Sequence, residues 1–157
     1  MRDFRALVRQ RWPCPLRPAK HFPVNEATAK LCVLVVEDEP LIGMEIEDVI
    51  ELLGQKVIGP AAELNQALDL ATNALIECAI LDINIRGGAS YPVAFTLLDR
   101  GVPILLATGY GEHTLPERLR GEARLTKPFT TGQLDEKLRK LFARAMICRG
   151  QEPTEQV

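Results

Sequence analysis

The 157-residue sequence lacks the features of a membrane protein, a secreted protein or a zinc protein. No segment approaches the roughly 20 consecutive apolar residues that a transmembrane helix requires, and the first residues lack the apolar segment of a secretory signal. The four cysteines are far apart and have no metal-ligand spacing, which disfavours a zinc site and a disulfide framework. We therefore expect a soluble, cytoplasmic protein with no membrane partner.

Glycine-rich phosphate loops are absent as well. Neither GxxxxGK(S/T) nor GxGxxG occurs in the sequence, so nucleotide hydrolysis and dinucleotide binding are disfavoured. Aromatic residues are scarce, at 5%, whereas hydrophobic residues (46%) and charged residues (25%) are as frequent as in ordinary globular domains. Aliphatic side chains must therefore form most of the core.

Charge is distributed unevenly along the chain. Residues 1–30 contain seven Lys or Arg and two acidic residues, whereas residues 31–157 contain twelve Lys or Arg and nineteen acidic residues. We interpret residues 1–29 as a flexible basic N-terminal extension, whose pattern allows a short helix over 4–11. Residues 30–148 are predicted to form one domain and residues 149–157 a short C-terminal tail. Because phosphate contacts need a cationic face, the acidic domain predicts no nucleic-acid partner.

Strand-like and helix-like segments alternate from residue 31 onward. A continuous apolar run, typical of a strand buried on both faces, occurs at 31–36, mainly apolar strands are predicted at 77–83 and 102–108, and shorter strands at 56–60 and 123–126. Apolar residues at helical spacing predict helices that start near Pro40, Leu64, Pro92 and Thr130. Pro116 limits the segment 111–121 to a short or broken helix. Five strands and five helices in alternation predict an α/β fold, a (βα)5 doubly wound parallel sheet with helices on both faces.

Chemically active side chains follow four of the predicted strands. In an open α/β sheet the functional crevice lies beyond the carboxyl ends of the strands. The residues at those ends are Glu37, Asp38, Glu39, Asp82, Thr108 and Lys127. Carboxylates without histidine or cysteine form a hard oxygen site that suits Mg²⁺. A lysine and a hydroxyl can stabilise phosphoryl oxygens, and Asp82 is a candidate nucleophile. The pattern therefore indicates phosphoryl transfer.

Four segments, VLVVEDEPLI, LDINI, PILLATGYG and LTKPF, resemble the signature segments of the receiver domain of bacterial two-component response regulators. The resemblance covers about residues 31–147, with the segments in the family's order. It implies a flavodoxin-like fold with strand order 2-1-3-4-5. The third segment is similar to that of a stand-alone, single-domain subgroup with an A-T-G-(Y/F)-like motif after strand four.

The resemblance also implies the residues of the acidic site. Asp82 matches the phosphoacceptor aspartate of the family. Glu37 and Asp38 match the acidic pair that holds Mg²⁺, with Asp82 as a third ligand and the main-chain carbonyl of Asn84 as a further one.

The remaining site residues include departures from the family pattern. Thr108 matches the switch hydroxyl and Lys127 the family's lysine, and the Lys127–Pro128 bond resembles one that is cis in the family. Three residues before the lysine, where many receivers have Tyr or Phe, this chain has Arg124. We therefore expect Tyr110 to perform part of the switching.

The implied function is that of a phosphoacceptor response regulator in a two-component phosphorelay. It takes a phosphoryl group from a phosphohistidine on a histidine kinase or a histidine phosphotransfer protein, and it signals by changed binding to a downstream signalling protein. It is not expected to be an enzyme beyond catalysing its own phosphorylation and dephosphorylation. Two alternatives stay open: a phosphorylation-independent protein interaction module with a receiver fold, and a nucleic-acid-binding regulator that works through the basic extension.

Overall fold

The computed structural model describes residues 30–109 and 115–150. Besides a short antiparallel pair, Asn84–Ile85 with Gly88–Ala89, this part of the chain contains the five strands of the main sheet: β1 (Cys32–Val36), β2 (Lys56–Ala61), β3 (Cys78–Asp82), β4 (Ile104–Thr108) and β5 (Ala123–Thr126). They pair in parallel in the order β2-β1-β3-β4-β5. This arrangement confirms the predicted fold class and the strand order that the resemblance implies.

Four helices cover the two faces of the sheet: α1 (Pro40–Leu52), α2 (Leu64–Asn73), α3 (Tyr91–Asp99) and α4 (Thr131–Arg149). The side chains of β1 alternate between two apolar clusters, as a period of two residues requires. Val33 and Val35 pack with α1 and α4 on one face, whereas Leu34 and Val36 pack with α2 and α3 on the other. The continuous apolar runs of the sequence are therefore strands buried on both sides.

The segment between β4 and β5 departs from the alternation of five strands and five helices. In place of a fourth α-helix, the described residues contain one 3-10 turn, Glu117–Leu119. Pro116 precedes this turn with an extended backbone, φ −48° and ψ 142°, and it has no N–H to donate to a helix. Residues 110–114 lie outside the described part of the chain, as does the helix expected over residues 4–11.

The helix ends follow from short sequence signals. Thr130 and Gln133 form a capping box, in which the Thr130 side chain accepts from the Gln133 N–H and the Gln133 side chain accepts from the Thr130 N–H. Pro40 occupies the first turn of α1, where its missing N–H costs nothing. At the other end of α4, Gly150 adopts a φ of +85° and ends the helix. Among the described residues, no helix is both long and apolar enough to cross a membrane.

A charged clamp closes the amino edge of the sheet. Arg149, the last residue of α4, forms an ion pair with Glu77 through both its Nε, at 2.7 Å, and a terminal nitrogen. The second carboxylate oxygen of Glu77 accepts the Cys32 N–H at 3.0 Å, and Arg149 also donates to the Lys30 carbonyl at 3.3 Å. The two ends of the described chain are thus held together at this edge.

Candidate functional site

Side chains from four strands meet at the carboxyl edge of the sheet. Glu37 and Asp38 directly follow β1, Asp82 ends β3, Thr108 ends β4 and Lys127 directly follows β5. Because these strands are parallel and β1, β3, β4 and β5 are consecutive neighbours in the sheet, their last residues lie side by side. The structure therefore brings together the residues that the sequence placed at this edge.

Lys127 connects two buried carboxylates. Its Nζ donates to Glu37 Oε2 at 2.7 Å and to Asp82 Oδ2 at 2.8 Å. The Glu37 side chain is fully buried, and the side chains of Asp82 and Lys127 are 11% and 16% exposed. Charge-assisted bonds of this kind are short and directional, so the ammonium group holds the carboxylate of Asp82 in a defined position.

Main-chain N–H groups bind the other oxygen of each carboxylate. The Glu39 N–H donates to Glu37 Oε1 at 3.0 Å, and the Asn84 N–H donates to Asp82 Oδ1 at 3.2 Å. Each donor lies two residues after the acid it binds, so the loops that follow β1 and β3 fold back on their own carboxylates. Every oxygen of this pair of acids is therefore oriented by a donor.

The pKa values at the site reflect an excess of acid over base. Burial raises the pKa of Glu37, and the nearby charge of Asp82 raises it further, against the hydrogen bonds from Lys127 and Glu39. Burial lowers the pKa of Lys127, but its hydrogen bonds and charge interactions with Asp82 and Glu37 outweigh this effect and raise it above the usual value. The ammonium group therefore stays charged and is shared between two acids.

The acidic cluster has the composition of a hard-cation site. Glu37, Asp38 and Asp82 each offer a carboxylate oxygen, and these oxygens lie within 4.8 Å of one another. Mg²⁺ usually takes one or two carboxylates from a protein when it also binds phosphoryl oxygens and water, and this cluster can supply them. The donor set thus fits Mg²⁺, with Lys127 as one positive charge against three negative ones. Asn84, whose carbonyl is the further expected ligand, is exposed and lies in the two-residue strand Asn84–Ile85 that follows β3.

Of the two predicted switch residues, the structure describes Thr108 but not Tyr110. Thr108 is buried, at 6% exposed, and its carbonyl accepts the Lys127 N–H at 2.6 Å. Tyr110 lies outside the described residues, so its predicted role stays a prediction. The Lys127–Pro128 bond is cis, as the resemblance implies. Arg124, at the position of the missing aromatic residue, is exposed and donates to the Arg120 carbonyl at 2.9 Å.

Two contacts at the site were not predicted from the sequence. The buried hydroxyl of Ser90 donates to the main-chain oxygen of Asp82 at 2.5 Å. A terminal nitrogen of Arg86 lies 3.5 Å from the Asp38 carbonyl. The next residue, Gly87, has a φ of +95° and lies close to Leu64. Ser90 looks in the sequence like an ordinary helix cap, and no pattern signals the direction of its hydroxyl.

Comparison with known protein families gives one match over most of the described chain. The model of the response regulator receiver domain matches residues 33–139. The phyllosphere-induced regulator PhyR of Methylorubrum extorquens is 37% identical over 101 residues, which are 62% of this chain and 38% of that protein. The transcriptional regulatory protein PdtaR of Mycobacterium tuberculosis is 28% identical over 118 residues, 71% of this chain and 58% of that protein. The chain thus spans less than two thirds of these curated relatives.

Solved structures give the same result. The solution structure of SdrG from Sphingomonas melonis Fr1 is similar to this chain with 38% identity and a TM-score of 0.62, covering 72% of this chain and 97% of SdrG. The PhyR response regulator REC domain of Erythrobacter litoralis has 30% identity and a TM-score of 0.62, covering 83% of this chain and 99% of that domain. Both similarities extend over nearly the whole of the compared structure.

Proposed function

Because this chain belongs to the family of response regulator receiver domains, we propose that it is a phosphoacceptor in a two-component phosphorelay. Asp82 accepts a phosphoryl group from a phosphohistidine of a histidine kinase or a histidine phosphotransfer protein. Modified Asp82 then changes the binding of a downstream signalling protein. The proposal places the protein in the cytoplasm with its phosphodonor, and it excludes any enzymatic role beyond its own phosphorylation and dephosphorylation.

The observation that carries this proposal is the Lys127 ammonium group, held between Glu37 and Asp82 at 2.7 and 2.8 Å. Such a group holds the Asp82 carboxylate in one orientation, which positions it as a nucleophile. In the reaction, an Asp82 carboxylate oxygen forms a bond to phosphorus while the bond from phosphorus to the imidazole nitrogen breaks, and the imidazole keeps the electron pair. The products are an aspartyl phosphate and a histidine.

Glu37, Asp38, Asp82 and the main-chain carbonyl of Asn84 are the residues that would hold Mg²⁺. When bound, the ion would offset the negative charge that accumulates as a phosphoryl group approaches three acids. Lys127 supplies a second positive charge for the phosphoryl oxygens, and the Thr108 hydroxyl supplies a hydrogen-bond donor. We propose Thr108 as the switch residue, since it ends the strand next to the one that carries Asp82.

Intact-mass measurement after incubation with acetyl phosphate and MgCl₂ tests the proposal. Wild type and the control Asp69→Asn, which changes an exposed aspartate on α2, should each gain one phosphoryl group. Asp82→Asn should gain none, and excess EDTA should prevent the gain in wild type and in Asp69→Asn. A gain in Asp82→Asn would place the modification elsewhere and contradict the assignment.

A second phosphodonor separates the alternatives. A purified histidine phosphotransfer protein, loaded with phosphate on its histidine, replaces acetyl phosphate in the same measurement. Transfer only from this protein would mean that Asp82 requires a protein donor. No transfer from either donor would instead favour the phosphorylation-independent interaction module.

A further inference from the structure

The outer side of α1 carries several acidic side chains. Residues 37–51 contain seven acidic side chains and neither lysine nor arginine. Four of the seven, Glu45, Glu47, Asp48 and Glu51, belong to α1 itself. Burial raises the pKa of Glu47, and the charges of Glu51 and Asp48 raise it further. The acidic side chains of this helix therefore repel one another, and a cationic partner would relieve that repulsion.

The same side of α1 exposes large apolar side chains. Leu41, Met44 and Leu52 are 81%, 57% and 84% exposed. With Asp48 and Glu51 they follow the spacing i, i+3, i+7, i+10 and i+11, which places them on one stripe of the helix. We call these five residues the α1 outer face. Its mixture of apolar and acidic groups matches a partner that is apolar and basic.

The described chain begins close to the C-terminal end of this helix. The Leu31 N–H donates to Gln55 Oε1 at 2.7 Å, and the Lys56 N–H donates to the Leu31 carbonyl at 2.9 Å. Gln55 lies three residues after the end of α1. The thirteen residues of α1 span about 20 Å, whereas 29 extended residues reach about 95 Å. The extension is therefore long enough to run along the whole helix.

The composition of the extension complements the α1 outer face. Residues 1–29 contain six Lys or Arg and two acidic residues. Its first twelve residues also contain large apolar side chains: Phe4, Leu7, Val8 and Trp12. A tethered segment reaches an effective concentration in the millimolar range, so a contact too weak to hold two separate molecules suffices within one chain.

We propose that residues 1–29 bind back on the α1 outer face of the same molecule. Basic side chains of the extension then lie against Asp48 and Glu51, and apolar side chains cover Leu41 and Met44. Because Pro40 begins α1 directly after the acidic loop, the bound extension stands beside the acidic site. One consequence rests on the proposed function. The bound extension should slow phosphoryl transfer to Asp82 from a protein donor but not from a small-molecule donor.

Paramagnetic relaxation in the full-length protein measures the contact directly. Cys14 carries the spin label, in a background where the exposed Cys148 is replaced by Ser. Cys78 is buried, and burial raises the pKa of the Cys32 thiol, so labelling at neutral pH selects Cys14. We expect broadening of α1 amide signals but not of α2 signals, lost in 1 M NaCl, where the screening length is about 3 Å.

Charge reversal tests the specificity. Asp48→Lys with Glu51→Lys should abolish the broadening of α1, whereas Asp69→Lys with Glu117→Lys, an equal change at exposed positions outside α1, should leave it intact. Adding Arg9→Glu and Arg11→Glu to the first pair should restore the contact, which loss of folding would not permit.

Three results would overturn the proposal. The first is equal broadening of the α1 and α2 signals, and the second is broadening of the α1 signals of molecules without a spin label when they are mixed with spin-labelled ones, which would mean a contact between two molecules. The third is broadening of α1 that persists after charge reversal of Asp48 and Glu51. The kinetic consequence has its own measurement. Arg9→Glu with Arg11→Glu should speed transfer from a phosphorylated histidine phosphotransfer protein and leave the rate with acetyl phosphate unchanged. If neither donor modifies Asp82, the proposed function fails while the relaxation result still decides the contact.

Discussion

Replacing Ser90 by Ala should destabilise the domain because a buried hydrogen bond is lost, although no helix-capping bond is removed. Ser90 is the N-cap residue of α3, but its side chain makes no capping hydrogen bond. Its hydroxyl instead donates to the Asp82 carbonyl at 2.5 Å, and the residue is 1% exposed. The substitution therefore removes a donor from a carbonyl oxygen at the buried end of β3, next to the acidic site.

The expected cost follows from this burial. Leaving a buried acceptor without its donor costs about 1–3 kcal/mol. With a urea dependence of about 2 kcal/mol per M, a loss of about 2 kcal/mol lowers the midpoint of urea unfolding by about 1 M. Circular dichroism at 222 nm during urea titration measures both the midpoint and the slope.

Two matched variants identify the source of the loss. Thr72→Ala removes a bond of the same type, from Thr72 Oγ1 to the Leu68 carbonyl at 2.7 Å, but on the exposed surface of α2, and it should change the free energy of unfolding by less than about 0.5 kcal/mol. Glycine at an N-cap position costs only a few tenths of a kcal/mol, so Ser90→Gly would be nearly harmless if Ser90 acted only as a cap. Because Ser90→Gly also removes the hydroxyl that binds the Asp82 carbonyl, it should be at least as unstable as Ser90→Ala. A Ser90→Ala protein within about 0.5 kcal/mol of wild type would refute the reasoning.

Glu122 and Arg149 give two further predictions. Burial raises the pKa of the Glu122 carboxyl, against the weaker opposing effect of Arg144. The folded state therefore binds this proton more tightly than the unfolded state, and the resulting stability is present at low pH and lost as pH rises through the folded pKa. In urea titrations, the free energy of unfolding of wild type, relative to that of Glu122→Gln, should therefore be higher at pH 5 than at pH 7. An equal difference between the two proteins at both pH values would contradict the burial argument. Arg149→Gln should lower the free energy of unfolding by about 1.5–3 kcal/mol, because a half-buried charged pair with Glu77 is lost. Adding 1 M NaCl should lower the free energy of unfolding of wild type more than that of the variant. A smaller salt effect on wild type than on the variant would argue against an ionic contribution.

The sheet could be predicted because its strands carry their own signal. β3 and β4 are buried at every residue, so both appear in the sequence as uninterrupted apolar runs. The segment before β5 has no such signal, because Pro116 disrupts a helix without specifying what replaces it. The 3-10 turn at Glu117–Leu119 depends on how Leu115 and Leu119 pack into the core, which is a tertiary effect.

The acidic site could be predicted to the extent that it depends on topology. Lys127 lies 45 residues from Asp82 and 90 from Glu37 along the chain, yet parallel strands bring all three to one edge. The Ser90 bond to Asp82 and the Arg86 contact with Asp38 could not be predicted, because they depend on how one loop turns after β3. That turn requires a positive φ at Gly87, and a glycine in a sequence does not state which conformation it adopts.

The clamp formed by Arg149 has a consequence for protein engineering. Because Arg149 donates to the Lys30 carbonyl, the points where the chain enters and leaves the domain are adjacent, at the edge of the sheet remote from Asp82. Adjacent ends allow a folded unit to be inserted into a surface loop of a host protein. The region from Lys30 to Gly150 is therefore suited to use as a cassette, with the acidic site at the edge of the sheet opposite the points of insertion.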